Sequence, residues 1–267
     1  MNWKNSSEYR LKKRNLIKFI WRLFGLLIIS LFLIFDLIIT INYPNAFIVP
    51  NVDKPTERLA IYYFYFTTQT NYLVLIYLFA FLFESKFKEN SKPSFYILLS
   101  ITIYITITML VFWIGIISNS QERSKYGTDI YLWFKTIILN LIMPIVMILN
   151  FALSCGRDFY SLKNHHKLYM WFILFYPCFY VVMVMVRGVL RVKQGENINT
   201  CYPYFFFNYQ KYGVGVLVTA IIFLLIISIG LQYLYLWINN IQYKKKHDDD
   251  KPNFPIITYP YGFKLYK

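Results

Sequence analysis

Six apolar blocks, each of about 20 residues or more, run through this sequence, and each is long enough to cross a hydrocarbon core of about 30 Å. Nothing else constrains the fold so strongly. Hydrocarbon offers the backbone no water to bond, so each block must satisfy its own hydrogen bonds as a helix. The blocks run approximately over 19–41, 61–83, 94–117, 130–154, 168–190 and 213–239. Charges or turn residues separate them, as in Asn42-Tyr43-Pro44-Asn45 after the first. The expected fold is therefore all-α: a polytopic membrane helix bundle with six transmembrane helices. A basic N-terminus (1–18) precedes the six-span domain (19–239), and a flexible tail (240–267), with a charge block and three prolines, follows it. The first block follows basic residues, as a signal peptide does. It is too long for an h-region and lacks a small-x-small cleavage pattern, so an uncleaved span is expected.

The chain has 57% hydrophobic and only 15% charged residues, where soluble domains hold roughly 45–50% and about 25%. A soluble enzyme, a disulfide-stapled secreted domain and a disordered chain are excluded on that ground. The formal net charge is +15, but the basic residues sit between the apolar blocks rather than on one soluble face. They read as topology signals and as attraction to anionic membrane lipids, with no nucleic-acid binding expected. Eighteen Lys and Arg fall in 1–18, 84–93, 155–167 and 240–267, against seven in 42–60, 118–129 and 191–212. That asymmetry places both termini in the cytoplasm of a multi-pass plasma membrane protein.

Cys155, Cys178 and Cys201 fall at different levels of this topology, so no disulfide is expected. His165-His166 and His247 lack carboxylate or thiolate company and read as solvated loop residues, not metal ligands. No nucleotide-binding loop is present. Neither a metal nor a cofactor is expected.

Polar groups inside a span are costly and mark candidate sites. The first block carries Asp36 and Thr40, the second the run Thr67-Thr68-Gln69-Thr70-Asn71, the fourth Lys135, Thr136 and Asn140, and the fifth Arg187. Asp36, Thr67 and Lys135 lie roughly 8–10 Å below the outer interface, and Asn140 about 15 Å. Pro144 would release the carbonyl of Asn140. Their shared level points to a polar cup opening outward. Each residue taken alone also fits helix–helix glue or a hydroxyl bonded to its own backbone. Asp36 and Lys135 would neutralise each other, and Arg187 reads as snorkelling to the interface. The loop from Tyr202 to Asn208 is too apolar for water and is expected to fold over the bundle mouth as a lid or plug.

Three of these segments resemble signatures of a bacterial branch of the androgen-induced (FAR-17a type) integral membrane protein family. Tyr65-Phe66-Thr67-Thr68-Gln69-Thr70-Asn71 resembles its Tyr-Phe-Thr-x-Gln-Ser-Asn motif. Asn140 to Pro144, continuing to Asn150, resembles its His-x-x-x-Pro segment, and Tyr202 to Asn208 its Tyr-Pro-Tyr-Pro-Phe-x-Asp loop. Characterised animal members hydrolyse fatty-acid esters of hydroxy fatty acids with an intramembrane threonine and histidine. The resemblance implies Thr67 as the nucleophile, but it puts Asn140 where the histidine belongs and Asn150 and Asn208 at the acidic positions.

A threonine hydroxyl needs a base to take its proton, and an asparagine amide does not titrate usefully. Asn140 could still orient a water or donate to an oxyanion, and Lys135 is the nearby candidate base. The favoured reading is a non-catalytic relative that binds or moves a lipid or small molecule, with Asp36, Gln69, Asn71, Lys135 and Asn208 as binding residues. One alternative is a membrane ester hydrolase acting on an acyl lipid. Another is the substrate-binding subunit of a multi-chain transporter, with a partner membrane subunit and Asp36 as the carboxylate for proton coupling. A purely structural membrane protein remains a further option.

Overall fold

The computed structural model describes residues 3–43, 52–82, 92–118 and 129–248; the expected tail from 249 onward lies outside the described residues. Every element in the described residues is helical. Five helices are long and apolar enough to cross a membrane. They are α1 (Trp3–Asn42), α4 (Lys92–Ser118), α5 (Ile130–Ser154), α6 (Leu162–Lys193) and α7 (Val214–Asp248). Two boundaries differ from expectation. The N-terminal segment is helical from Trp3, and α7 carries residues 240–248 of the expected tail as helix.

The second expected span is not one helix. It consists of α2 (Pro55–Phe64) and α3 (Phe66–Leu82), separated by Tyr65, whose backbone is extended at φ −71° and ψ 130°. Pro55 in the first turn of α2 suits a start, because its missing N–H would be unpaired there anyway. At 17 residues, α3 rises only about 25 Å. The turn Ile138–Ile142 of α5 is wound wider than an α-helix. This follows from Pro144, which lacks a donor and would clash with the carbonyl of Asn140 in regular winding. That carbonyl instead accepts from Trp113 Nε1 of α4 at 3.0 Å.

Helix α4 is the central element, packed against α3, α5 and α7. Of its most apolar stretch 61% is buried, against 6% for α7, which lies at the periphery. On the far side, away from the two ends of the chain, Arg58 holds the helix ends together. It is 2% exposed and donates to the carbonyls of Thr40, Ile41, Val52 and Asp53. A cation at the end of α1 meets its unsatisfied carbonyls and the negative end of its dipole. On the side where α1 begins and α7 ends, Arg22 of α1 donates to Asn150 Oδ1 of α5 at 3.0 Å and to the Phe81 carbonyl of α3 at 2.8 Å. There Asn240 of α7 pairs with the backbone of Tyr160 through two bonds of 2.8 and 3.1 Å.

Candidate functional site

The break at Tyr65 exposes the backbone at the start of α3, and hydrocarbon tolerates such groups only where the protein supplies partners. Two tyrosines supply them. Tyr180 of α6 donates through its hydroxyl to the Phe64 carbonyl at 2.9 Å and accepts from Phe66 N at 3.1 Å. The Tyr204 hydroxyl, from the loop before α7, accepts from Thr67 N at 3.3 Å and lies 3.4 Å from Thr67 Oγ1. Gln69 braces the break as well, donating to the Tyr63 carbonyl at 2.9 Å and accepting from Tyr176 at 2.7 Å. The loop therefore does fold over the bundle. Phe207 is buried, and Tyr202 lies so close to α6 that a Cβ on Gly188 would stand 2.0 Å from its ring. Only glycine fits there.

The expected polar cup is divided. Asp36 Oδ1 accepts from Lys135 Nζ at 2.7 Å and from Tyr131 at 2.5 Å, joining α1 to α5, while Asp36 Oδ2 is buried without a partner. Thr67 and Gln69 belong instead to the break. Asn71 donates to the carbonyls of Thr67 and Leu139 at 2.8 and 3.3 Å, tying α3 to the wide turn of α5. The side-chain oxygens of Asn71 and Asn140 are buried without a partner. The Asn208 side chain caps the short helix Tyr209–Tyr212 by accepting from Lys211 N at 3.2 Å. Arg187 does not extend away along the helix as a snorkelling side chain would. It lies 4.3 Å over the Phe64 ring and donates to the Cys201 carbonyl at 3.3 Å, holding the loop down.

A cavity of about 240 Å³ opens beside the break, between α4, α6 and α7. Thr67, Tyr204 and Phe207 form its roof, Ile107 and Val111 of α4 its back wall, and Val181 of α6 and Leu224 of α7 its sides. No charged side chain lines it. Two of its lining residues, Cys178 and Leu225, are exposed on the outside of the bundle, so the cavity reaches the surface between α6 and α7. Its volume falls below the roughly 300–1,000 Å³ of pockets that enclose a drug-sized ligand. It suits one slender apolar chain.

One polar residue in the wall of this cavity is Ser228 of α7, whose hydroxyl is buried without a partner. One turn further along the same face stands Gln232, fully buried. It faces His165, at the start of α6, and the two side chains interact without a hydrogen bond of full geometry. Both amide atoms of Gln232 and both ring nitrogens of His165 are buried and unpartnered. His165 is thus not a solvated loop residue. The wide turn His165–Tyr169 places it inward, stacked at 6.2 Å on Tyr96 of α4, while His166 stays exposed and bonds Tyr233. Each orphaned buried group costs roughly 1–3 kcal/mol, which makes five together unusual for a core.

Neither Ser228 nor Gln232 stood out in the sequence, since a lone Ser or Gln in a span is ordinary. Their spacing of four, with His165 brought alongside by the fold, is the signal. Among the described residues no group of three or more His, Cys, Asp or Glu gathers to hold a metal. No family model, curated protein or solved structure matches the chain.

Proposed function

We propose that this chain is a six-span membrane protein, both termini cytoplasmic, that takes an acyl chain from the bilayer into the cavity between α4, α6 and α7. The observation that carries the reading is the cavity itself: apolar, uncharged, chain-sized and open at the surface between two membrane-length helices. Water gains little in such a space, whereas an acyl chain gains dispersion contacts on all sides. Protein purified in mild detergent is expected to carry a stoichiometric lipid in native mass spectrometry, and Leu224→Trp, which fills the cavity, is expected to lose it. Equal lipid in both proteins would reject the reading.

A second reading, ester hydrolysis at Thr67, draws on the place of that hydroxyl in the cavity roof at the start of α3. Its neighbour Tyr204 is a poor base, because burial pushes the phenol pKa up. A phenol that holds its proton leaves the threonine a weak nucleophile. Binding without turnover is therefore the better supported of the two. A fluorophosphonate ester probe separates them: capture at Thr67 supports hydrolysis, and its absence alongside retained lipid supports binding.

A further inference from the structure

We infer that the bound molecule is a free fatty acid, seated with its chain in the cavity and its carboxyl group on Ser228, Gln232 and His165. The inference rests on the acyl-chain reading above and adds the ligand's head and its direction.

Ser228 lines the cavity, and Gln232 follows it one turn on along the same face of α7, so the polar row begins where the cavity wall ends. From Ile221, in the cavity wall, to Gln232 the axis of α7 rises about 16 Å, the reach of an extended acyl chain. The roof offers a polar head little, because Thr67 and Tyr204 already engage each other and the break. The opposite end is the reverse. A serine hydroxyl, a glutamine amide and an imidazole each present a donor, and none of the three makes a hydrogen bond of full geometry in the protein, although Gln232 and His165 face each other. Two carboxyl oxygens can take all three donors, and the amide oxygen can accept from the protonated acid.

The surroundings also select the head. His165 is enclosed by the rings of Tyr96 and Tyr233, at 6.2 and 5.9 Å. No Lys or Arg lines the cavity. A phosphodiester keeps its charge at every physiological pH and would be stranded in such a place. A carboxylic acid enters neutral and, once seated, shares its proton with the imidazole.

The test uses full-length protein in detergent, with palmitic acid and methyl palmitate as probes in a binding titration. The variants are Gln232→Leu and His165→Phe, which keep volume and ring stacking, and Leu224→Trp, which blocks the chain. Wild type is expected to bind the acid more tightly than the ester. Gln232→Leu and His165→Phe are expected to weaken the acid about tenfold or more and leave the ester unchanged, which also shows that they are folded. Acid and ester moving together in these two variants, or not moving at all, overturns the inference while leaving the chain site standing. Wild type binding neither probe, or Leu224→Trp binding both as wild type does, overturns the acyl-chain reading itself. Direction has its own readout. A palmitic acid with a diazirine near its carboxyl is expected to label the α7 peptide around Gln232, and one with the diazirine at its methyl end the loop around Phe207. The opposite pattern refutes the assignment.

Discussion

The bundle buries two sets of polar groups, one at the break at Tyr65 and the neighbouring α1–α5 ion pair and one running from the cavity wall at Ser228 to His165, and they differ in what they lack. In the first set, at the break and in the α1–α5 ion pair, Asp36, Thr67, Gln69, Thr70, Asn71 and Lys135 each have at least one partner in the protein. Beside the cavity, Ser228, Gln232 and His165 have no hydrogen bond of full geometry. The first set closes a chain interruption and joins helices, and it stabilises the fold. The second weighs against the fold, and a protein retains such a burden where function needs it. Burial and polarity alone do not separate the two sets. What does is whether a side chain has any hydrogen bond of full geometry, since Asp36 and Asn71 each leave one oxygen unmatched while the rest of the side chain is held.

The difference can be broken from either side, and the largest effect belongs to the ion pair. Asp36→Leu leaves Lys135 charged beside an apolar side chain. It is expected to lower stability by about 3–5 kcal/mol in thermal unfolding, with Asp36→Leu and Lys135→Met together recovering most of the loss. Tyr180→Phe strands Phe66 N and the Phe64 carbonyl, and a loss of about 1–3 kcal/mol is expected. Gly188→Ala drives a methyl group into the Tyr202 ring and is expected to cost about 1–3 kcal/mol and to free the loop to proteolysis. The smallest effect has the opposite sign. Gln232→Leu removes two orphaned atoms at similar volume, so stability is expected to stay level or rise by about 1 kcal/mol. A loss there as large as that of Tyr180→Phe would place Gln232 in the first set.

Hydropathy made the helices legible because it reports the solvent directly: five of the expected spans are single helices in the structure. It did not reveal the interruption of the second. No proline or glycine marks Tyr65, and its extended backbone is held by Tyr180 and Tyr204, more than a hundred residues away. Asp36, Thr67 and Lys135, expected at one depth, and Asn140, expected somewhat deeper, are buried or half-buried, yet similar depth did not bring them to one pocket. They divide between different helix interfaces. Asn208 stood at a signature position and serves as a helix cap. His165 was hidden by its neighbours: Lys163, Asn164, His166 and Lys167 make the segment read as loop, and only the wide first turn of α6 shows which histidine faces inward. Lining up Ser228 with Gln232 required no structure, but giving that pair a meaning required His165 and the cavity.

The measurement closest to the central claim is the thermal stability of wild type and Gln232→Leu in detergent, with and without palmitic acid. A ligand that binds only the folded state raises the Tm in proportion to its affinity. Wild type is expected to start at or below the variant and to rise on adding the acid, while Gln232→Leu stays where it began. Equal shifts in the two proteins, or none in wild type, would contradict the account.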